Sequence, residues 1–118
     1  MQLSLLSDDG EVIHFQCEGD ITLSDFQEGK DPFQDLLGPA GFGRKVLLNL
    51  QKTTYIDSSG IGWLIVHHKH FRQAGGRLVL HSVPARVNEV FQTLRLSLVL
   101  NIAEDEQAAR ARALKQEQ

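Results

Sequence analysis

The sequence predicts an α/β fold with a mostly parallel or mixed sheet, and three observations lead there. Val46-Leu47-Leu48-Asn49-Leu50 and Arg77-Leu78-Val79-Leu80-His81 are short apolar runs of the kind found in strands covered on both faces. Between them, residues 59–73 change to a helical period. Ahead of them, two segments with alternating apolar residues flank a turn-rich tetrapeptide, the pattern of an antiparallel hairpin. The resulting order, β-β-α-β-α-β-α-β-α, puts helices in the crossovers, where right-handed connections pack them back onto the sheet. At 118 residues the chain suits one hydrophobic core, so residues 1–118 are expected to form a single domain.

The hairpin strands are residues 2–6 and 11–18, joined through Ser7-Asp8-Asp9-Gly10. Thr22-Leu23-Ser24-Asp25 then has the Thr-x-x-acid spacing of a helix start, where side-chain oxygens satisfy free backbone donors. Gly29-Lys30-Asp31-Pro32 interrupts that helix and suits the opening of another, so two short helical pieces are predicted. Gly38-Pro39-Ala40-Gly41-Phe42-Gly43 reads as a surface loop. The run from Val46 to Leu50 follows as the middle of the sheet. In the helix of residues 59–73, Ile61, Leu64, Ile65 and His68 share a face, and Gly75-Gly76 ends it. Pro84 opens a further helix with Val87, Val90, Phe91 and Leu94 at core-facing spacing. Leu98-Val99-Leu100 reads as a final edge strand. Residues 102–118 form the C-terminal helix, rich in Ala, Glu, Gln, Arg and Lys but poor in large apolar residues, and so loosely attached.

Composition narrows the function. A formal net charge of −3 supplies no broad attraction for nucleic-acid phosphates or an anionic membrane. No apolar run approaches the roughly 20 residues that span a bilayer, and Met1 to Gly10 lacks the basic and apolar regions of a signal peptide. A cytoplasmic protein without membrane insertion is expected. Cys17 is the single cysteine, which excludes an intrachain disulfide and a cysteine metal cluster; it reads as a small core residue.

The most informative segment is Tyr55-Ile56-Asp57-Ser58-Ser59-Gly60-Ile61-Gly62, which joins a buried strand to a helix. Ser58 is the natural N-cap, because its oxygen can accept a backbone N–H. Two glycines in the first turn lower helix propensity by about 1 kcal/mol each relative to alanine, which suggests that something approaches the backbone closely. A phosphate on Ser58 would lie at the positive end of the helix dipole without unfolding it. Its charge, about −1.5 to −2, could still disrupt a close interface.

These residues, with Val46 to Leu50 before them and Gly75-Gly76-Arg77-Leu78-Val79-Leu80 after them, resemble STAS-domain anti-sigma factor antagonists. Gly19-Asp20-Ile21 resembles the family's early Gly-acid-apolar element, so the likeness runs from about Glu11 to Ile102. The resemblance implies a STAS-like α/β domain whose mixed sheet has four to five strands and whose helices pack mainly on one face. It implies that Ser58 is phosphorylated by an anti-sigma factor serine kinase with a histidine-kinase-like ATPase fold and dephosphorylated by a metal-dependent serine phosphatase. The unphosphorylated form would bind the kinase and free a sigma factor, and phosphorylation would break that complex. Chemistry then belongs to the partners; the chain itself is expected to be no enzyme and to carry no cofactor or metal. Asp20, Thr22, Asp57, Ser58, Ser59, Gly60, Gly62, Trp63 and Val66 are the partner-binding residues this reading selects. Thr22 stands where many members have a second acid, and the break at Pro32 falls in a region that is usually more continuous. The other reading is a STAS scaffold in a stressosome-type or lipid-transporter assembly without sigma-factor control.

Several residues have plainer readings. Asp57 suits a loop-stabilising side-chain-to-backbone bond as well as presentation of Ser58 to a kinase. Trp63 and Val66 lie off the face of Ile61, Leu64 and Ile65, so they form either a partner patch or a contact beneath a neighbouring helix. His67 and His70 are three apart on one helix face with no local carboxylate or cysteine, and read as solvated. A catalytic serine would need His14 or His81 beside Ser58, and there is no Gly-x-Ser-x-Gly elbow. No Gly-x-x-x-x-Gly-Lys-Ser/Thr or Gly-x-Gly-x-x-Gly phosphate loop is present.

Overall fold

In the computed structural model, which describes residues 1–115, the first hairpin turns on two carboxylates. Asp9 accepts from the N–H groups of Glu11 and Val12 at 3.0 and 2.8 Å, and Asp8 accepts from Gly10 at 3.0 Å. They fold β1 (Gln2–Asp8) back on β2 (Val12–Ile21) as an antiparallel pair. β3 (Lys45–Ile56), β4 (Arg77–His81) and β5 (Asn101–Ala103) then add in parallel, giving the order β1-β2-β3-β4-β5. The five strands form the mixed α/β sheet the sequence predicts.

β3 runs well past Leu50. Its pairing with β4 ends at Asn49 opposite His81, but its ladder with β2 continues to Ile21 opposite Ile56. Buried Thr53 supports this extension by donating its hydroxyl to the Cys17 carbonyl at 3.3 Å. The polar residues of the second half therefore belong to the strand because the backbone pairs, whatever their hydropathy.

The front face carries α1 (Pro32–Leu37), α2 (Ser58–Gln73) and α3 (Ala85–Thr93). Phe15, Leu48, Leu50 and Leu80 from the strands meet Phe33, Leu64, Phe71 and Phe91 from these helices. Each such burial stabilises the fold by about 1.5–3 kcal/mol. α2 ends in a Schellman arrangement: Gly75 has φ +86, its N–H donates to Arg72, and Gly76 N–H donates to Phe71 at 2.8 Å. α4 (Glu106–Leu114) lies on the back face, where Ala109 and Ala113 cover Val12, Leu47 and Val79. Cys17 is a buried core residue, its thiol pushed up to about 11 by burial.

Several local expectations change. The helix predicted at Thr22 is a 3-10 segment, Leu23–Gly29, opened by the Thr22 N–H donating to Asp25 at 2.8 Å. It and α1, capped by Asp31, are the two predicted pieces. The loop at residues 38–43 contains a 3-10 turn whose Phe42 is buried against α2. Leu98-Val99-Leu100 is not a strand: Leu96–Leu98 is a 3-10 turn and β5 starts at Asn101, because only residues 101–103 reach the β4 ladder. Leu94 caps α3 and is exposed rather than core-facing. The buried face of α2 is Gly60, Trp63, Leu64, His67 and Phe71, turned from the predicted one because aromatic side chains arrive from residues 33 and 42. The C-terminal helix is seated through two alanines, and the part of it predicted at residues 116–118 lies outside the described residues.

Candidate functional site

α2 begins at Ser58, yet its N-cap is Asp57, which corrects the sequence expectation. One Asp57 oxygen accepts from Gly60 N–H at 2.9 Å and the other from Leu23 N–H at 3.1 Å. Asp57 N–H in turn donates to the Ile21 carbonyl at 3.1 Å. A carboxylate can take two backbone donors at once, here one from the helix and one from the chain leaving β2. Ser58 is relieved of capping. It is exposed, and its hydroxyl makes no hydrogen bond within the described residues.

The two glycines behave differently. A Cβ on Gly60 would lie 2.6 Å from the Ile21 carbonyl oxygen and 2.7 Å from Ile56, so the close approach there is made by the protein's own chain. A Cβ on Gly62 would meet nothing within 4 Å. Gly62 leaves a stretch of helix backbone uncovered next to a groove.

That groove, about 390 Å³, is lined by Leu23, Phe26, Lys30, Ser59, Gly62 and Val66, with Trp63 beneath them. Trp63 is buried and stacks between Phe26 and Phe33, with ring centroids 5.2 and 4.8 Å away. It therefore packs under the neighbouring helical pieces and forms the floor, whereas Val66 is 61% exposed and forms a wall. Asp20 and Thr22 flank Ile21 at the end of β2, beside the cap; exposed Asp20 accepts from the Thr54 hydroxyl at 2.5 Å. The structure thus gathers Asp20, Thr22, Asp57, Ser58, Ser59, Gly60, Gly62, Trp63 and Val66 around the start of α2, with Trp63 and Gly60 contributing from below.

Asp31 and His67 were missed as parts of this region. His67 is buried rather than solvated, and its Nε2 lies 2.9 Å from Asp31, which also caps α1 and accepts from the Trp63 indole at 3.4 Å. Burial pushes the His67 pKa down while Asp31 pulls it up. Its Nδ1 has no partner among the described residues, which favours the neutral ring with its proton on Nε2. His70 stacks on Phe42 with centroids 3.9 Å apart. Asp31 before Pro32 was legible as a cap, but nothing local in the sequence ties it to His67.

His14 and His81 bond to each other on the back face, away from α2. Among the described residues no three His, Cys, Asp or Glu side chains converge as a metal site, and no helix is long and apolar enough to cross a membrane.

A family model for the STAS domain matches residues 8–109, most of the chain. The chain belongs to the STAS domain family. Over 68 residues this STAS domain is 34% identical to BtrV of Bordetella bronchiseptica, whose name assigns it as an anti-sigma factor antagonist; the match spans 58% of this chain and 59% of that relative's length. A protein assigned as an anti-sigma factor antagonist from Thermotoga maritima has a similar fold in its crystal structure, with TM-score 0.79, 18% identity, and 97% and 94% of the two chains covered. The anti-sigma factor antagonist SpoIIAA in its unphosphorylated form superposes with TM-score 0.66 at 20% identity over 98% of each chain. Its phosphorylated form, from Bacillus, gives TM-score 0.60 at 21% identity over 94% and 96%. At these identities the structural likeness carries the STAS fold.

Proposed function

We propose that this STAS domain is a cytoplasmic anti-sigma factor antagonist switched by phosphorylation of Ser58. The observation that carries the reading is the division of labour at the start of α2: Asp57 caps the helix, leaving the neighbouring hydroxyl exposed and uncommitted. An anti-sigma kinase with a histidine-kinase-like ATPase fold transfers the γ-phosphoryl group of ATP to Ser58 Oγ and releases ADP. A serine phosphatase returns the hydroxyl by hydrolysis, releasing phosphate. The chain supplies no catalytic group; it presents an acceptor.

In the unphosphorylated state the kinase docks on the rim formed by Asp20, Thr22, Asp57, Ser58 and Ser59, and on the groove of Gly62, Trp63 and Val66. Binding there withdraws the kinase from its sigma factor. A phosphoryl group adds about −1.5 to −2 charge beside the Asp57 carboxylate, whose oxygens are already engaged by Gly60 and Leu23. The added charge repels and desolvates at the interface while the helix start stays formed. Support comes from the family membership, from the relative named as an antagonist, and from a structural neighbour known in both unphosphorylated and phosphorylated forms.

The test pairs kinase and ATP with phosphosite mass spectrometry and a binding assay. Phosphate is expected on Ser58. Ser58→Ala should retain kinase binding, and Ser58→Asp or the phosphorylated protein should lose it. Equal kinase affinity for phosphorylated and unphosphorylated protein would eliminate the switch.

A further inference from the structure

Two histidines outside the switch meet beneath α4. His14 on β2 and His81 at the end of β4 are 4% and 0% exposed, and their Nε2 atoms lie 2.8 Å apart. They reach across β3, where the residues in register with them, Leu47 and Asn49, are uncharged. At that separation one Nε2 donates and the other accepts, so one proton lies between the rings.

The outer nitrogens extend the chain of contacts. His81 Nδ1 is 2.8 Å from Ser82 Oγ, and His14 Nδ1 is 3.6 Å from the Glu106 carboxylate in the first turn of α4. Ser82 has φ +56, a left-handed conformation uncommon for a residue with a side chain. Its N–H donates to the Glu104 carbonyl at 3.2 Å, just before the α4 cap Asp105. The remaining charged group facing the pair is Arg110 of α4, itself tied to Asp9 at 2.7 Å.

Counting protons shows what this arrangement allows. In the neutral pair the Ser82 hydroxyl donates to His81 Nδ1, His81 Nε2–H donates to His14 Nε2, and His14 Nδ1–H faces Glu106. A third ring proton fits on His81 Nδ1 if the Ser82 hydroxyl turns to accept. A fourth would put N–H groups head-on at the central contact, which the docked geometry does not permit. We propose that the His14–His81 pair is a proton-sensitive latch, which holds α4 on the sheet while it carries at most one extra proton and releases the helix when both rings become charged.

The helix it holds is lightly seated, through the methyl groups of Ala109 and Ala113 over Val12, Leu47 and Val79. Burial pushes both imidazoles below their usual range; Glu106 opposes this at His14, and Glu106 and Asp105 oppose it at His81, while Arg110 and the pairing itself reinforce it. Above about pH 6.5 the rings are neutral whether α4 is docked or not. As pH falls below that value, undocked rings take up protons that docked rings refuse. Undocking is then favoured up to about tenfold per pH unit for each proton taken up in excess.

The test is NMR of the full chain from pH 7.5 to 5, following imidazole nitrogen shifts together with amide exchange corrected for the intrinsic rate at each pH. Protection at Ala109 and Ala113 is expected to fall at least about tenfold between pH 6.5 and 5.5, in step with the histidine signals, while Leu64 on the front face keeps its protection. His14→Gln, which retains a hydrogen-bonding side chain, should flatten the response. Constant α4 protection down to pH 5 in the native sequence overturns the latch, as does independent titration of the two rings near 6.5 with α4 in place. These readouts concern α4 alone and need no binding partner.

Discussion

Phe33, Phe42, Phe71 and Phe91 fill the front of the sheet, whereas at the back Ala109 and Ala113 set the backbone of α4 close against Val12, Leu47 and Val79. The difference separates a platform from a cover. On the front, stacked rings fix α2 and the pieces over it, so the rim around Ser58 is presented on a rigid base. On the back, few apolar atoms hold α4, and a polar histidine pair shares the task. Small apolar contact areas mark the segments that open most easily.

The largest expected effects test this contrast on adjacent residues of one strand. Leu48 and Leu47 are both fully buried but point to opposite faces. Leu48→Ala leaves a cavity among packed rings and should cost about 5 kcal/mol, while Leu47→Ala, where α4 can settle inward, should cost about 2 kcal/mol. Denaturant unfolding of the two variants measures the gap, and equal losses would erase the distinction between faces.

Within the front face, Gly60→Ala should cost about 1–3 kcal/mol, because the new methyl group meets the Ile21 carbonyl, which is backbone and cannot swing away. Gly62→Ala has open space and should gain up to about 1 kcal/mol while weakening kinase binding. Thermal unfolding of both, with a binding assay on Gly62→Ala, separates packing from recognition. Asp57→Ala should lose about 1 kcal/mol, and Ser58→Ala less than about 0.5 kcal/mol. The reverse order in chemical denaturation would return the cap to Ser58.

The smallest effect concerns acid stability on the front. Burial holds the His67 pKa below its usual value, so its neutral form contributes no pH dependence above about 6.5. Below that value the unfolded chain binds a proton that the folded chain resists, and stability falls. Unfolding midpoints at pH 7 and 5.5 should differ less in His67→Gln than in the native sequence.

Legibility along the chain followed the range of the interactions. The hairpin, the central strand, the two helical pieces joined at Pro32 and the end of α2 at Gly75-Gly76 all rest on neighbouring residues, and all were readable. So was the cluster at residues 57–62, through its motif. What each member does there was less readable: Asp57 caps α2 because Leu23, 34 residues earlier, supplies a second donor. His67 is buried because Asp31 and two phenylalanines arrive over it from the β2–β3 connection.

The sequence by itself determined the order of strands and helices, the single cysteine's exclusion of an intrachain disulfide, and the position of the serine-glycine helix start. Periodicity, turn chemistry and composition are local properties and survive without coordinates. Only the tertiary structure decided which residue caps α2, which glycine is packed and which is bare, and that His14 and His81, 67 residues apart, meet beneath α4. Those outcomes depend on which strands pair and in what register, and the pairing is settled by burial of whole faces rather than by any one segment.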